Sequence, residues 1–257
     1  MIRDATTRFS SRVKDYVKTR PGYPEATLDW LAARCGLGVG SPVADVGSGT
    51  GILTAAMLDR GWRVWAVEPN ADMRAAAEAQ LGGREGFESV SGEAGATGLA
   101  SSSVEVVTAA QAFHWFEPEA ARVEFGRILR PGGAVALVWN DRDSEGSPFL
   151  RDYEALLLGL GADYTEAAHT RTDEAAIGRF FGGGEVEVHE AANAQHFDRA
   201  GFEGRALSSS YTPQAGDPRH EGFMRGLGEI FEGHQRGGRV TFAYRTILYL
   251  GRFVSIE

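Results

Sequence analysis

The residues best suited to chemistry begin with Asp45-Val46-Gly47-Ser48-Gly49-Thr50-Gly51, which follow a short apolar run and precede a helical pattern. Glycines in such a place let the backbone turn sharply and approach a ligand with no Cβ in the way, and the next helix offers free N–H groups. The dinucleotide fingerprint G-x-G-x-x-G needs glycine at its sixth position, and counting from Gly47 that position is Ile52. D-x-G-x-G-x-G instead suits a ligand with no pyrophosphate to seat, beside an acid able to face an ammonium group. Glu68 lies 21 residues beyond Gly47 and directly follows the apolar run Val64 to Val67. A carboxylate at a strand's C-terminal end can accept both hydroxyls of a ribose, and ligands of open α/β sheets bind beside those ends. His114, in Ala112-Phe113-His114-Trp115, titrates near neutrality when unperturbed and is the candidate general base.

The elements that must hold these residues alternate. A helix is expected from Tyr23 to Leu37, a strand over Pro42 to Val46, a helix over Ile52 to Arg60 and a strand over Arg63 to Val67. A helix at Ala71 to Leu81, strands at Phe87 to Ser91 and Val104 to Thr108, and a helix at Pro118 to Leu129 follow. That helix closes in Arg130-Pro131-Gly132-Gly133 before a strand at Ala134 to Trp139. Strands alternating with helices imply crossover connections and a mainly parallel sheet. Two late strands, Glu185 to Phe197 and Val240 to Phe253, would meet antiparallel and complete it.

The expected fold is α/β: a Rossmann-like three-layer sandwich with a seven-stranded, mostly parallel sheet, one antiparallel strand and a helical lid. One domain is expected over 1–257, with its core at about 24–143 and 185–257 and lid insertions at about 1–23, 144–184 and 200–238.

Composition removes other classes. With 43% hydrophobic and 24% charged residues the chain is ordinary for a globular protein, and a net charge of −9 disfavours nucleic acid as a partner. Cys35 is the single cysteine, so no intrachain disulfide can form and a reducing, cytoplasmic setting is expected. No signal peptide is visible, and no window reaches the length of about 18 apolar residues that a spanning helix needs. His169, His189, His196, His220 and His234 show no metal-ligand spacing, so no metal is expected. Oligomeric state is not legible.

These motifs together resemble the class I S-adenosylmethionine-dependent methyltransferases. The resemblance implies that Asp45, Gly47, Ser48, Gly49 and Gly51 wrap the methionine part of the cofactor and that Glu68 holds its ribose. Glu68-Pro69-Asn70-Ala71-Asp72-Met73 matches the family's E-P-x-x-x-M run, which places Pro69 among the contacts and Met73 either against the adenine or in the core. Gly92-Glu93-Ala94 resembles G-D-A, with Glu93 accepting from the adenine amine or standing as a surface acid, and Ala94 offering its N–H. Many relatives carry a Glu where this chain has Gly95.

Gln111 and the residues after it fall where methyl and acceptor meet. There His114 serves as base or lines the pocket, while Trp115 and Phe113 close over the sulfonium or pack in the core. Phe9-Ser10, Tyr16, Arg20 to Pro24, the run Ala121 to Gly133 and Trp139 to Arg142 are similar to the small-molecule subgroup around trans-aconitate methyltransferase. Tyr16, Arg20 and Arg142 are candidates for recognising an anionic acceptor, since guanidinium forks bind carboxylates bidentately. The implied reaction is direct in-line methyl transfer to a small molecule such as a carboxylic acid or natural product. An NAD-type oxidoreductase and a cofactor-binding module without catalysis are the alternatives.

Overall fold

The computed structural model describes residues 20–160, 164, 174–209 and 211–253. Seven strands form one sheet: β1 (Pro42–Val46), β2 (Arg63–Val67), β3 (Phe87–Val90), β4 (Val104–Ala110), β5 (Leu129–Arg142), β6 (Val186–Phe197) and β7 (Val240–Gly251). Their order is β3-β2-β1-β4-β5-β7-β6, and β7 runs antiparallel to both of its neighbours. The chain leaves β1 toward β2 on one side and returns to β4 on the other. The ends of β1 and β4 therefore border the crevice where such sheets bind ligands.

Helices cover both faces because the central strands are apolar on both. Every residue of β1 is buried. On one face Val43, Val106, Ala136 and Val138 pack with Leu28 and Leu31 of α1 (Glu25–Cys35) and with Leu53 and Met57 of α2 (Ile52–Leu58). On the other, Val46, Val107, Leu137 and Trp139 pack with Phe125 and Ile128 of α4 (Pro118–Ile128) and Phe180 of α6 (Glu174–Phe180). Between them in sequence lies α3 (Ala71–Leu81), capped by the Asn70 side chain, which accepts from the N–H groups of Asp72 and Met73.

A third apolar cluster stands beyond the sheet's C-terminal edge. Phe149, Leu150 and Tyr153 of α5 (Pro148–Leu158) meet Phe202 of α7 (Arg199–Leu207), Leu227 and Phe231 of α8 (His220–His234), and Phe242 and Tyr244 of β7. Its aromatic rings meet mostly edge to face, Phe149 and Phe242 at 5.1 Å and Tyr153 and Phe202 at 5.5 Å. Among the described residues no helix is long and apolar enough to cross a membrane, and no group of three or more His, Cys, Asp or Glu could hold a metal.

One strand departs from expectation. β5 begins at Leu129, whereas the sequence placed Arg130 to Gly133 in a helix closure; Leu129 pairs with Val104, and the register then shifts so that Ala134 pairs with Val106. The residues between form an irregularity inside the strand, a use that proline and glycine also serve.

Candidate functional site

The loop after β1 turns on three glycines with left-handed backbones, Gly47 (φ 69°), Gly49 (φ 57°) and Gly51 (φ 83°). The N–H groups of Gly47 and Ser48 donate to the Val67 carbonyl at 2.9 and 3.2 Å, which ties the loop to the tip of β2. A Cβ on Gly47 would stand 2.6 Å from Ala112 Cβ, and one on Gly51 would stand 2.7 Å from Leu81 Cδ1. On Gly49 it would meet only Met73 Sδ, at 3.8 Å. Two glycines thus admit neighbouring chain, and the third leaves an open face above the loop.

Both predicted acids are buried, in different ways. Asp45, 1% exposed, accepts from Thr54 Oγ1 at 2.6 Å and Thr108 Oγ1 at 3.0 Å. Its two oxygens therefore face inward, tying the loop to α2 and β4, where the sequence expected a group turned toward an ammonium. Burial pushes its pKa up to about 6, against the hydroxyl bonds that lower it. A raised folded pKa stabilises the protein fully below the unfolded value and loses that stabilisation as pH rises through about 6. Asp45→Asn, which cannot ionise, should accordingly gain stability relative to the wild type between pH 4 and pH 7, read from urea unfolding at each pH. Parallel pH profiles would contradict the assignment.

Glu68, 7% exposed, accepts from Gly49 N–H on Oε2 and from Asn70 N–H on Oε1, both at 2.9 Å. Each oxygen keeps a second acceptor position. Burial raises its pKa, with the two N–H bonds opposing. Close by, Ser48 Oγ and Thr50 Oγ1 are buried with no partner among the described residues. Open space over Gly49, free acceptor positions on Glu68 and two orphaned hydroxyls fit a polar ligand carrying a diol. Pro69 is exposed beside Glu68 and Met73 is 6% exposed, its sulfur toward Gly49.

Beyond β3, Glu93 is exposed and exchanges backbone bonds with Ala96, while Ala94 is buried. Gly95 has Ala120 Cβ 3.0 Å from the position a Cβ would take, so α4 packs where a side chain there would begin. Gln111, at the tip of β4 with φ 54°, donates from Nε2 to the Asn140 carbonyl at 3.1 Å. Phe113 belongs to the core: its ring lies 4.9 Å from Phe180 and 6.3 Å from Trp139. Trp115 is 37% exposed, with His114 tilted against it at 4.9 Å. His114, in the single helical turn after β4, offers surface to solvent, yet desolvation by the protein around it lowers its pKa to about 4. The imidazole is therefore neutral at pH 7, free to accept a proton but a weak base.

The candidates for an acceptor lie over the other half of the sheet. Arg142, which the sequence offered to an anion, is ion-paired with Glu154, donates to Tyr164 Oη at 2.9 Å and lies over the Tyr153 ring at 5.1 Å. Arg20 donates to the Ser208 carbonyl at 3.4 Å. Tyr16 lies outside the described residues. The sequence reading missed Arg205 on α7, which is 6% exposed and contacts Tyr244 and Ser209. Its signal was available: it stands three residues after Phe202 and beside Ala206, both fully buried, and so belongs to the inward face of its helix. At the opposite edge of the sheet, a depression lined by Arg63 and Arg130 has both cations paired, with Glu88 and Glu105.

A doubly wound sheet with a glycine loop at its switch point and an acid at the tip of the adjacent strand defines the class of nucleotide-type cofactor binders. Residues 44–137 match the family described as a methyltransferase domain. An uncharacterized methyltransferase of Mycobacterium bovis is 41% identical over 144 residues, which are 55% of each chain. The chain thus spans about half the length of the curated relatives it matches. A solved structure from Anaeromyxobacter dehalogenans, assigned as a type II methyltransferase, shares the fold with a TM-score of 0.67 at 22% identity, covering 91% of this chain and 98% of that one. Phosphoethanolamine N-methyltransferase 2 of Haemonchus contortus shares it with a TM-score of 0.59 at 15% identity, over 99% of this chain and 59% of that one. Over residues 44–137 the chain is thus similar to that methyltransferase domain family, and the solved methyltransferases share its fold.

Proposed function

We propose that the protein transfers a methyl group from S-adenosylmethionine to a small-molecule acceptor. The observation that carries this reading is the pairing of Gly49 and Glu68: an open glycine face above the loop and, 2.9 Å from its N–H, a buried carboxylate with acceptor positions to spare. Glu68 would hold the ribose hydroxyls, and Ser48 and Thr50 would direct their hydroxyls to the methionine end. Met73 would flank the adenine, with Glu93 and Ala94 at its rim and Pro69 and Gln111 closing the sides. Asp45 acts from beneath as a positioning residue. When bound, S-adenosylmethionine supplies a sulfonium methyl that an acceptor nucleophile displaces in line.

The chain's own work is alignment and exclusion of water. Trp115, half exposed beside the cradle, would shield the cationic centre, and His114, neutral at pH 7, lines the space between cofactor and acceptor. One domain over 1–257 would carry all of this, with the described parts of segments 144–184 and 200–238 shaping the acceptor pocket; of the expected lid segments, 1–19, 161–163, 165–173 and 210 lie outside the described residues. A small-molecule acceptor is supported by the enclosed position of Arg205 and Arg142; the Haemonchus enzyme was solved with phosphomonomethylethanolamine and S-adenosylhomocysteine.

Calorimetry should detect binding of S-adenosylmethionine and of S-adenosylhomocysteine and none of NAD. Tritium from labelled cofactor should then pass to a member of an acceptor panel. Binding of NAD in preference to either adenosyl compound would overturn the reading, as would tight cofactor binding with no transfer to any acceptor.

A further inference from the structure

Glu124, in the run Ala121 to Gly133, is a buried carboxylate to which the methyl-transfer reading gives no role. It stands on α4 and is 7% exposed. Its Oε1 accepts from the Thr97 N–H at 2.8 Å, from Thr97 Oγ1 at 2.5 Å and from Arg127 Nη2 at 2.7 Å, and its Oε2 accepts from Arg127 Nε at 2.7 Å. The Arg127 side chain first, and Thr97 after it, hold its pKa down to about 2 against burial, so the group is ionised at neutral pH. A buried carboxylate with this many donors braces the chain that supplies them.

That chain is the connection from β3 to β4, residues 91–103, which has no helix and carries Gly92, Gly95 and Gly98. Such a segment holds one conformation only where its neighbours fix it. Thr97, fully buried, is its deepest point. From Gly92 to Thr97 the backbone closes on itself: Glu93 and Ala96 exchange bonds at 3.2 and 3.0 Å, and a Cβ on Gly92 would stand 2.6 Å from the Thr97 carbonyl oxygen. α4 meets this closed turn twice, with Ala120 at Gly95 and Glu124 at Thr97. Further along, Arg127 donates to the Leu99 carbonyl at 2.8 Å and to Ser101 Oγ at 3.1 Å. A shift of Thr97 away from Glu124 therefore carries Glu93 and Ala94 with it.

We infer that Glu124 positions the adenine end of the cofactor site: by gripping Thr97 it fixes the turn that presents Glu93 and Ala94, and so sets how strongly the site prefers a base with an exocyclic amine. Its four bonds go to Thr97 and Arg127, so it acts on a ligand through them and not by contact. The inference rests on the methyltransferase reading, which places Glu93 and Ala94 at the adenine. A carboxylate held at the amine accepts from it, whereas an oxo group in the same place sets oxygen against oxygen.

The test is calorimetry on the full chain with two ligands, S-adenosylhomocysteine and S-inosylhomocysteine, which differ by amine against oxo. The wild type should bind the adenosyl compound roughly tenfold or more tightly, the worth of a charge-assisted bond. In Glu124→Ala that ratio should fall to within about threefold, with Glu124→Gln between, because glutamine keeps one acceptor for the Thr97 N–H. Thr97→Val should lower the ratio too, and Thr97→Ser, which restores the hydroxyl, should keep it. Glu124→Gln and Thr97→Val carry the test if the alanine variant does not fold. Urea unfolding without ligand measures the bracing separately, since a merely structural acid would change stability and leave the ratio alone. Variants that are less stable yet keep the wild-type ratio would overturn the inference, as would a wild type that binds both ligands alike. A wild type that binds neither would sink the cofactor reading and the inference with it.

Discussion

Replacing Glu68 by alanine is expected to weaken S-adenosylmethionine binding by roughly 100-fold, with Glu68→Gln intermediate. Each charge-assisted bond to a ribose hydroxyl contributes about 1.5 to 3 kcal/mol, and about 1.4 kcal/mol is tenfold in affinity, so loss of two bonds, partly replaced by water, gives this order. The carboxylate also braces the apo loop through the N–H groups of Gly49 and Asn70, so alanine should lower stability as well. Urea unfolding without ligand measures that bracing separately, and calorimetry on protein held well below its unfolding midpoint measures binding. Glutamine occupies the same volume and keeps one acceptor oxygen, but turns the other into a donor. If the alanine variant bound within twofold of the wild type, Glu68 would be only a loop brace.

The cofactor half of the site was legible because it is local. Gly47, Gly49 and Gly51 fall within five residues, and Glu68 is one apolar strand and one helix away, so spacing alone placed them together. What spacing did not reveal was direction: Asp45 reads as a ligand-facing acid, yet Thr54, nine residues on, and Thr108 take both of its oxygens. The parallel strands were legible as short apolar runs between turn residues, and β6 by its period-two alternation of partly buried and exposed residues. β5 was read short, since Pro131-Gly132-Gly133 punctuates a helix end as well as it interrupts a strand. The acceptor half was hardly legible. Arg142, Tyr164, Arg205 and Tyr244 come from four separate stretches of sequence, and α7 carries Gly201 and Gly204, which weaken any helical signal. Side chains brought together by tertiary packing leave only a faint trace, such as an arginine on the apolar face of its helix.

The three loop glycines should separate into two kinds under the same substitution. Gly47→Ala and Gly51→Ala should each destabilise the protein by about 2 to 5 kcal/mol, of which roughly 1 to 2 comes from forcing a Cβ into the left-handed region and roughly 1 to 3 from overpacking. The obstacles are Ala112 Cβ at 2.6 Å, which is fixed to its own backbone, and Leu81 Cδ1 at 2.7 Å with Ala77 Cβ behind it at 3.4 Å. Gly49→Ala meets no such wall, so it should lose only about 1 to 2 kcal/mol from its backbone angle. Its methyl group, however, would project into the face left open toward the ligand, and S-adenosylmethionine binding should fall below detection in a protein that still unfolds cooperatively. Unfolding midpoints for the three variants, set beside their calorimetric affinities, make the comparison. A Gly49→Ala protein that binds as the wild type does would mean that the methionine end of the cofactor lies elsewhere, because a ligand seated on that backbone cannot share the space with a Cβ.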